Sequence, residues 1–209
     1  MRKALTIGEL LVTMTIIGVI AALVLPGFLK DYHKRIYTTK LKKTYEILDN
    51  AINQACTDNN VSYFYQTPYA TYKTGGANQQ EFLNKYFKTA NRQNSNPFSS
   101  KYKILASGKE SSINLANSGW AKLASGEAVS FFCDYTKTRC VIRVDVNSTD
   151  GPNIGGRDLF AIAIDIKTNK LGDVYNAKGD KYSPDTCGTE IYGYGCLEKI
   201  LENNWEMDY

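Results

Sequence analysis

Histidine occurs once in this chain of 209 residues, at His33, and that scarcity narrows the chemistry open to it. A thiol–imidazole nucleophile needs both groups within hydrogen-bond reach. The only such pair, His33 and Cys56, stands 23 positions apart on what reads as one helix, about 35 Å at 1.5 Å per residue. No G-x-S-x-G elbow, P-loop, H-E-x-x-H pair or dinucleotide fingerprint appears, and nothing points to seryl–lysyl chemistry. No catalytic residue is therefore expected, and the chain does not read as an enzyme. Tryptophan is also scarce: two stand against fifteen tyrosines and eight phenylalanines, which suggests a modest core with many half-exposed rings whose hydroxyls meet water. An excess of one charge is missing too, since a net +4 is too weak to argue for nucleic acid by itself.

What is present is unevenly spread. The length fits one ordinary domain plus an appendage. The first thirty residues take a large share of the Leu, Ile and Val, and the remainder is rich in Tyr, Asn, Ser, Thr and Gly. Four of five cysteines form two close pairs, Cys133/Cys140 and Cys187/Cys196, which is how local disulfides appear in exported proteins. Zinc ligands and free thiols are the competing readings. Gaps of six and eight residues are not C-x₂-C knuckles, and the histidine is remote, so zinc is disfavoured. Cys56 is left over and reads as a buried thiol acting as a small hydrophobe.

Residues 4–29 read ALTIGELLVTMTIIGVIAALVLPGFL, with a single charge at Glu9. A helix of about 20 apolar residues crosses a bilayer core. A secretory signal is the competing reading, because Met1-Arg2-Lys3 makes a positive leader. Against it, the apolar run exceeds the roughly 7–15 residues of a signal's hydrophobic region, and no A-x-A site ends it. A carboxylate in an apolar helix costs about 2.5–3.5 kcal/mol on insertion scales, so Glu9 should have a partner. A cut between Ala4 and Leu5 would create an α-ammonium one turn before Glu9. Staggered parallel helices would then place one copy's ammonium beside the next copy's carboxylate, neutralising both in a low dielectric. The bland alternative is a glutamate near the interface snorkelling to water.

The run Leu5-Thr6-Ile7-Gly8-Glu9-Leu10-Leu11-Val12, then Ile16-Ile17-Gly18-Val19-Ile20-Ala21-Ala22, then Leu25-Pro26 resembles the amino terminus of type IV pilins and type II secretion pseudopilins. Their shared pattern is a short basic leader, a cleavage site, F-T-x-x-E-L-L-V and an Ile/Val/Ala/Gly-rich helix ending in proline. This chain departs in having Ala4 before the cut and Leu5 after it, where the family usually has Gly and Phe. The resemblance implies that a prepilin peptidase cuts after Ala4 and methylates the amine of Leu5, and that Glu9 is the assembly glutamate. It implies further copies or related subunits as partners, with an inner-membrane assembly platform and motor. It also implies a single pass through a bacterial inner membrane, amino terminus cytoplasmic and carboxyl-terminal domain periplasmic or extracellular. Counting Lys and Arg points the other way, with six after the apolar run (Lys30, Lys34, Arg35, Lys40, Lys42, Lys43) and two before it. The paired cysteines and the pilin-like leader override that count.

The implied organisation is a leader at 1–4, a transmembrane and assembly half-helix at 5–29, an amphipathic half-helix at 30–57, and an exported domain at 58–209. Pro26 lacks an N–H and should kink the helix, not end it. Beyond it Phe28, Tyr32 and Ile36 recur at fours, and Leu41, Tyr45, Leu48, Ile52 and Ala55 at threes and fours, an amphipathic stripe that needs a sheet to cover it. Helix over 5–56 would run roughly 78 Å. The basic cluster Lys34-Arg35 and Lys40-Lys42-Lys43 reads as a solvated helix face, or as a patch for lipid headgroups or nucleic acid.

Within the exported domain, 59–78 is turn-rich, 79–90 predicts a short helix burying Phe82, Leu83, Tyr86 and Phe87, and 91–100 reads as a connection. Residues 128–134 and 139–146 predict a hairpin that brings Cys133 beside Cys140, with Ile142, Val144 and Val146 on one face and Val141, Arg143 and Asp145 on the other. A strand over 158–166 puts Phe160, Ile162, Ile164 and Ile166 inward, and 171–175 reads as an edge strand. The fold class expected is α+β, pilin-like, a long amino-terminal helix packed on an antiparallel sheet. Residues 145–158, DVNSTDGPNIGGRD, resemble a D-V-N-G-x-x-G-P-N loop of the same class, with Ser148 in the first glycine's place. Asp145, Asn147, Asp150 and Asp158 could hold calcium, but the spacing does not fit an EF-hand. A turn held by Asx hydrogen bonds is the favoured reading, with no cofactor. The tail C-x-x-x-I-x-x-x-x-W-x-x-x-Y, from Cys196 to Tyr209, resembles the class ending and predicts a short helix with Trp205 packed on the sheet. Three functions stand open: a structural filament subunit, a tip subunit that binds DNA, a surface or a secreted substrate, and a membrane-anchored binding domain that never assembles.

Overall fold

The computed structural model describes residues 6–90, 95–135, 139–165, 168–175 and 181–209. The chain divides into a first unit ending at Ile36 and a second over Tyr37–Tyr209, and one helix, α1 (Ile7–Asp58), runs through both. Pro26 lies inside α1 without ending it. The helical start at Leu5 falls outside the described residues.

In the first unit α1 carries Leu, Ile and Val on every side, and none of its most apolar stretch is buried within the chain. Ile7 is 80% exposed and Leu23 77%. With a mean hydropathy of 2.4 over 18 residues, the helix is long and apolar enough to cross a membrane. In the second unit α1 buries Tyr37, Leu41, Thr44, Leu48, Ile52 and Ala55, the single stripe that recurrence at threes and fours demands. Thr44 takes the stripe's centre, and Tyr45, expected there, sits half-buried at its flank.

Three short 3₁₀ turns, Phe64–Gln66, Pro68–Ala70 and Thr74–Gly76, lead into α2 (Ala77–Tyr86). This helix begins and ends earlier than the predicted 79–90, because Phe87 turns extended and Thr89 bridges to Leu123. Among the described residues eight strands follow: β1 (Tyr102–Ile104), β2 (Glu110–Ser111), β3 (Gly119–Lys122), β4 (Ala128–Cys133), β5 (Cys140–Asp145), β6 (Ile154–Gly155), β7 (Leu159–Ile164) and β8 (Leu171–Gly172). The last helix is α3 (Cys196–Glu202). Sheet order is β2-β1-β6-β7-β5-β4-β3, with β8 also on β7.

The sheet is mixed, which corrects the antiparallel expectation. β6 runs parallel to both β1 and β7. The link from β6 to β7 is a tight loop instead of a crossover, closed by Gly156 N donating to Leu159 O at 2.8 Å and Arg157 N to Ile154 O at 3.0 Å. The hairpin of β4 and β5 has the predicted register, with Cys133 opposite Cys140, and the two are joined as a disulfide. A second disulfide joins Cys187 to Cys196. Residues 136–138 of the hairpin link, and Ile166 of the third predicted strand, lie outside the described residues.

Register places Val129, Phe131, Ile142, Val144, Phe160 and Ile162 on one side of the sheet. Phe131 meets Phe82 of α2 at 5.1 Å and Phe64 at 5.9 Å between ring centres. Lys40 Nζ donates to Val146 O at 3.0 Å and Tyr45 Oη to Leu171 O at 3.1 Å, so α1 is tied to the chain leaving β5 and to β8. The other side, which carries Val141, Arg143 and Asp145, is not left to water. Val174, Tyr182, Tyr192 and Tyr194 close over Val141, Ala161 and Ala163, and Phe98, Tyr102, Ile113 and Ile191 over Ala128 and Leu159. Every residue of β7 is consequently buried. The ring of Trp205 meets Tyr45 of α1 edge-on at 5.3 Å, with Lys42 Nζ 5.9 Å from its centre.

α2 rides on β3 backbone to backbone at Gly119, where a Cβ would strike the main chain of Gln79 and Gln80. Gln80 Oε1 also accepts from Trp120 N at 2.9 Å. Neither backbone can yield without moving the helix, so Gly119→Ala should destabilise the second unit by about 2 kcal/mol, in the range of overpacked cores. Urea unfolding followed by tryptophan fluorescence measures it.

Candidate functional site

Two clusters of polar groups carry the residues singled out from sequence. The first opens α1. Thr6, the residue before the helix, donates from its N and from its Oγ1 to Glu9 Oε2, both at 2.9 Å. Glu9 N returns a bond to Thr6 Oγ1 at 3.3 Å, and Leu10 N makes the first intrahelical bond to Thr6 O at 3.1 Å. This is a reciprocal capping box, which satisfies two of the donors a helix start leaves orphaned. The signal was in the sequence as T-x-x-E before an apolar run. Reasoning from charge passed over it. The box supplies Glu9 with hydrogen bonds but no cation, and the positive end of the helix dipole adds a modest attraction. Among the described residues no cation is paired with Glu9, and its helix neighbours Ile7, Leu10, Leu11 and Val12 are exposed. The cleavage and methylation expected at Ala4 and Leu5 lie outside the described residues.

The second cluster forms where β5 ends. Asp145 is fully buried, accepts from Tyr102 Oη at Oδ2, and accepts from Asn147 N at Oδ1 over 3.1 Å. Asn147 Nδ2 donates to Gly151 O at 2.8 Å and to Tyr37 Oη at 3.4 Å, linking the loop to α1. Asp158 takes the N–H groups of Asn153 and Ile154, each at 2.6 Å. Ser148, in the place of a glycine, holds a left-handed φ of 63°. It is retained there by donating Oγ to the buried Pro97 O at 2.7 Å. Asn153 and Gly156 also have positive φ, and the Gly151–Pro152 peptide is cis.

Of the four calcium candidates, Asp145, Asn147 and Asp158 meet in this loop, and Asp150 is exposed. The carboxylates of Asp145 and Asp158 are committed to Tyr102 and to main-chain N–H groups, the arrangement of an Asx-held turn. Among the described residues no group of three or more His, Cys, Asp or Glu is placed to hold a metal ion. Tyr102 and Pro97 escaped sequence reasoning, since nothing in a polar segment marks which tyrosine or carbonyl will meet a residue some fifty positions away. Cys56 is a buried free thiol, with Asn169 Nδ2 at 3.8 Å from its sulfur. Comparison with family models, with curated proteins and with solved structures finds no match to the chain.

Burial pushes the Asp145 carboxyl up to about 7, with the neighbouring Asp158 adding to the rise and the Tyr102 hydroxyl opposing it. Burial likewise raises Asp158 and, farther along, Asp173. A carboxyl whose folded pKa exceeds its unfolded value of about 3.9 keeps a proton in the folded chain after the unfolded chain has lost it. Stability from this source is full below about pH 4 and falls as pH rises toward 7. The detergent-solubilised chain should therefore resist urea better at pH 5 than at pH 7. Asp145→Asn should remove about one proton's share of that slope, roughly 1.4 kcal/mol per pH unit at most.

Proposed function

We propose that the chain is a structural subunit of a membrane-rooted filament of the type IV pilin or type II secretion pseudopilin kind, pilin-like in fold as in leader. The observation that carries this reading is a helix apolar all round, uncovered by its own chain, with one acid at its start. In lipid such a helix is satisfied, and in a bundle of copies it is satisfied again, so the same surface serves storage in the membrane and assembly into a filament. On this reading prepilin peptidase cuts between Ala4 and Leu5 and methylates the new amine, and that amine neutralises Glu9 of a neighbour. A platform and motor in the bacterial inner membrane extract the subunit, amino terminus inward and second unit on the outer side. The two disulfides support export, because such bonds persist in oxidising compartments. The reading assigns no catalysis, no metal and no nucleic-acid contact to the chain.

A second reading is favoured by the capping box: an anchored domain that never assembles, in which Glu9 only starts a helix. One substitution separates the two. Gln also serves at the third position of a capping box, so Glu9→Gln keeps the cap and deletes the charge. In the native host the variant should be cleaved normally and remain in the membrane, yet its amount in sheared filaments should drop at least tenfold. Incorporation at the wild-type level would leave the cap as the glutamate's whole role. A mature product still bearing residues 1–4 would remove the amine the filament reading requires.

A further inference from the structure

Two features outside these clusters stand at opposite ends of strand β4. Beyond Cys133, Tyr135 is 75% exposed, the most open large hydrophobic residue described outside α1. It is not loose: its ring lies 3.7 Å centre to centre from that of Tyr72, and the two hydroxyls share a hydrogen bond of 2.9 Å. Phe132 buttresses Tyr72 edge-on at 6.4 Å, and the Cys133–Cys140 bridge closes the strands immediately beneath. Ordered, exposed aromatic rings are characteristic of interface anchors, since they bury much area while losing few rotamers.

At the other end of β4, where the chain arrives from β3, Leu123 and Ser125 meet α2's exit and α1 in an open-sided groove of about 670 Å³. Its walls are Ile47, Phe87 and Leu123, and Lys43 and Lys88 stand on its rim, both exposed. Mainly apolar walls and cationic edges suit phenol rings, whose faces attract ammonium groups and whose oxygens accept from them. β4, whose six residues rise about 20 Å, runs between knob and groove.

We propose that the Tyr72–Tyr135 knob of one copy docks in the Lys43–Lys88 groove of a second copy. Unlike surfaces joined this way make a heterologous contact, which adds subunits in line without pairing them off. Both elements belong to the second unit, and each copy presents one of each. The inference rests on the filament reading and deepens it, naming a contact between exported domains that the amino-terminal helix does not supply.

The test places p-benzoylphenylalanine at Tyr135 in the full detergent-solubilised chain, keeping an aromatic ring there, and irradiates it at rising concentration. Cross-links should reach residues 86–88 or 123–125 of a second copy. Ala124→Trp, an exposed change that fills the groove, should cut their yield at least fivefold while leaving circular dichroism unchanged. Tyr135→Ala should raise the dissociation constant for self-association about tenfold in sedimentation. Cross-links absent, confined to Tyr135 of both copies, or found only with a different protein in cell membranes would overturn the proposal. Pelleting of filaments is scored separately. Filaments without the cross-link would leave the filament reading standing and this contact refuted, and the cross-link without filaments would do the reverse.

Discussion

One helix presents two kinds of surface: residues 10–29 of α1 carry no charge and are apolar on every side, and among the described residues none of that most apolar stretch is buried, which suits it to lipid or to other helices. From Tyr37 onward the same helix narrows its apolar surface to a stripe, and that stripe is buried. That stripe fixes which residues the second unit must cover. Buried Leu41, Leu48 and Ile52 are the consequence on one side, and an exposed Leu23 on the other.

The second unit meets the demand with a sheet that is itself covered twice. β7 lies at its centre with β5 on one edge, and β6 and β8 share the other. Covering both faces removes the usual outlet for polar side chains, so Asp145, which alternation would hand to water, is enclosed instead, as is Asp158 in the loop before β7. Their solution is local. A hydroxyl from Tyr102 and successive main-chain N–H groups take the place of solvent. The same enclosure makes Asp145 sensitive to pH near neutrality, where an exposed carboxyl would not respond.

Long periodic segments were readable in the sequence. α1 and the β4–β5 hairpin with its cysteine register follow from spacing alone, as does the apolar run of β7. Four strands of two to four residues, β1, β2, β3 and β6, were not foreseen, because so few residues carry no period and their pairing is set by partners far along the chain. Parallel pairing through β6 was hidden for the same reason. The second cover of the sheet rests on tyrosines 182, 192 and 194, half-buried as the composition suggests, but a residue type equally at home in water does not mark which rings will form that cover. The partner of Trp205 on α1, Tyr45, lies 160 positions earlier and could not be read from the tail's own pattern. At the helix start the cap is legible as Thr6 and Glu9 three residues apart before an apolar run.

Tyr45 Oη bonds to Leu171 O across 126 positions, and Trp205 reaches back to the same ring. Partners so far apart in order of synthesis make for high contact order, which slows folding by raising the entropy of closing the intervening chain. The stripe on α1 therefore stands bare until late-arriving segments return to it. During that interval the greasy helix is the most adhesive part of the molecule, and a holding chaperone or the bilayer itself would decide between maturation and aggregation.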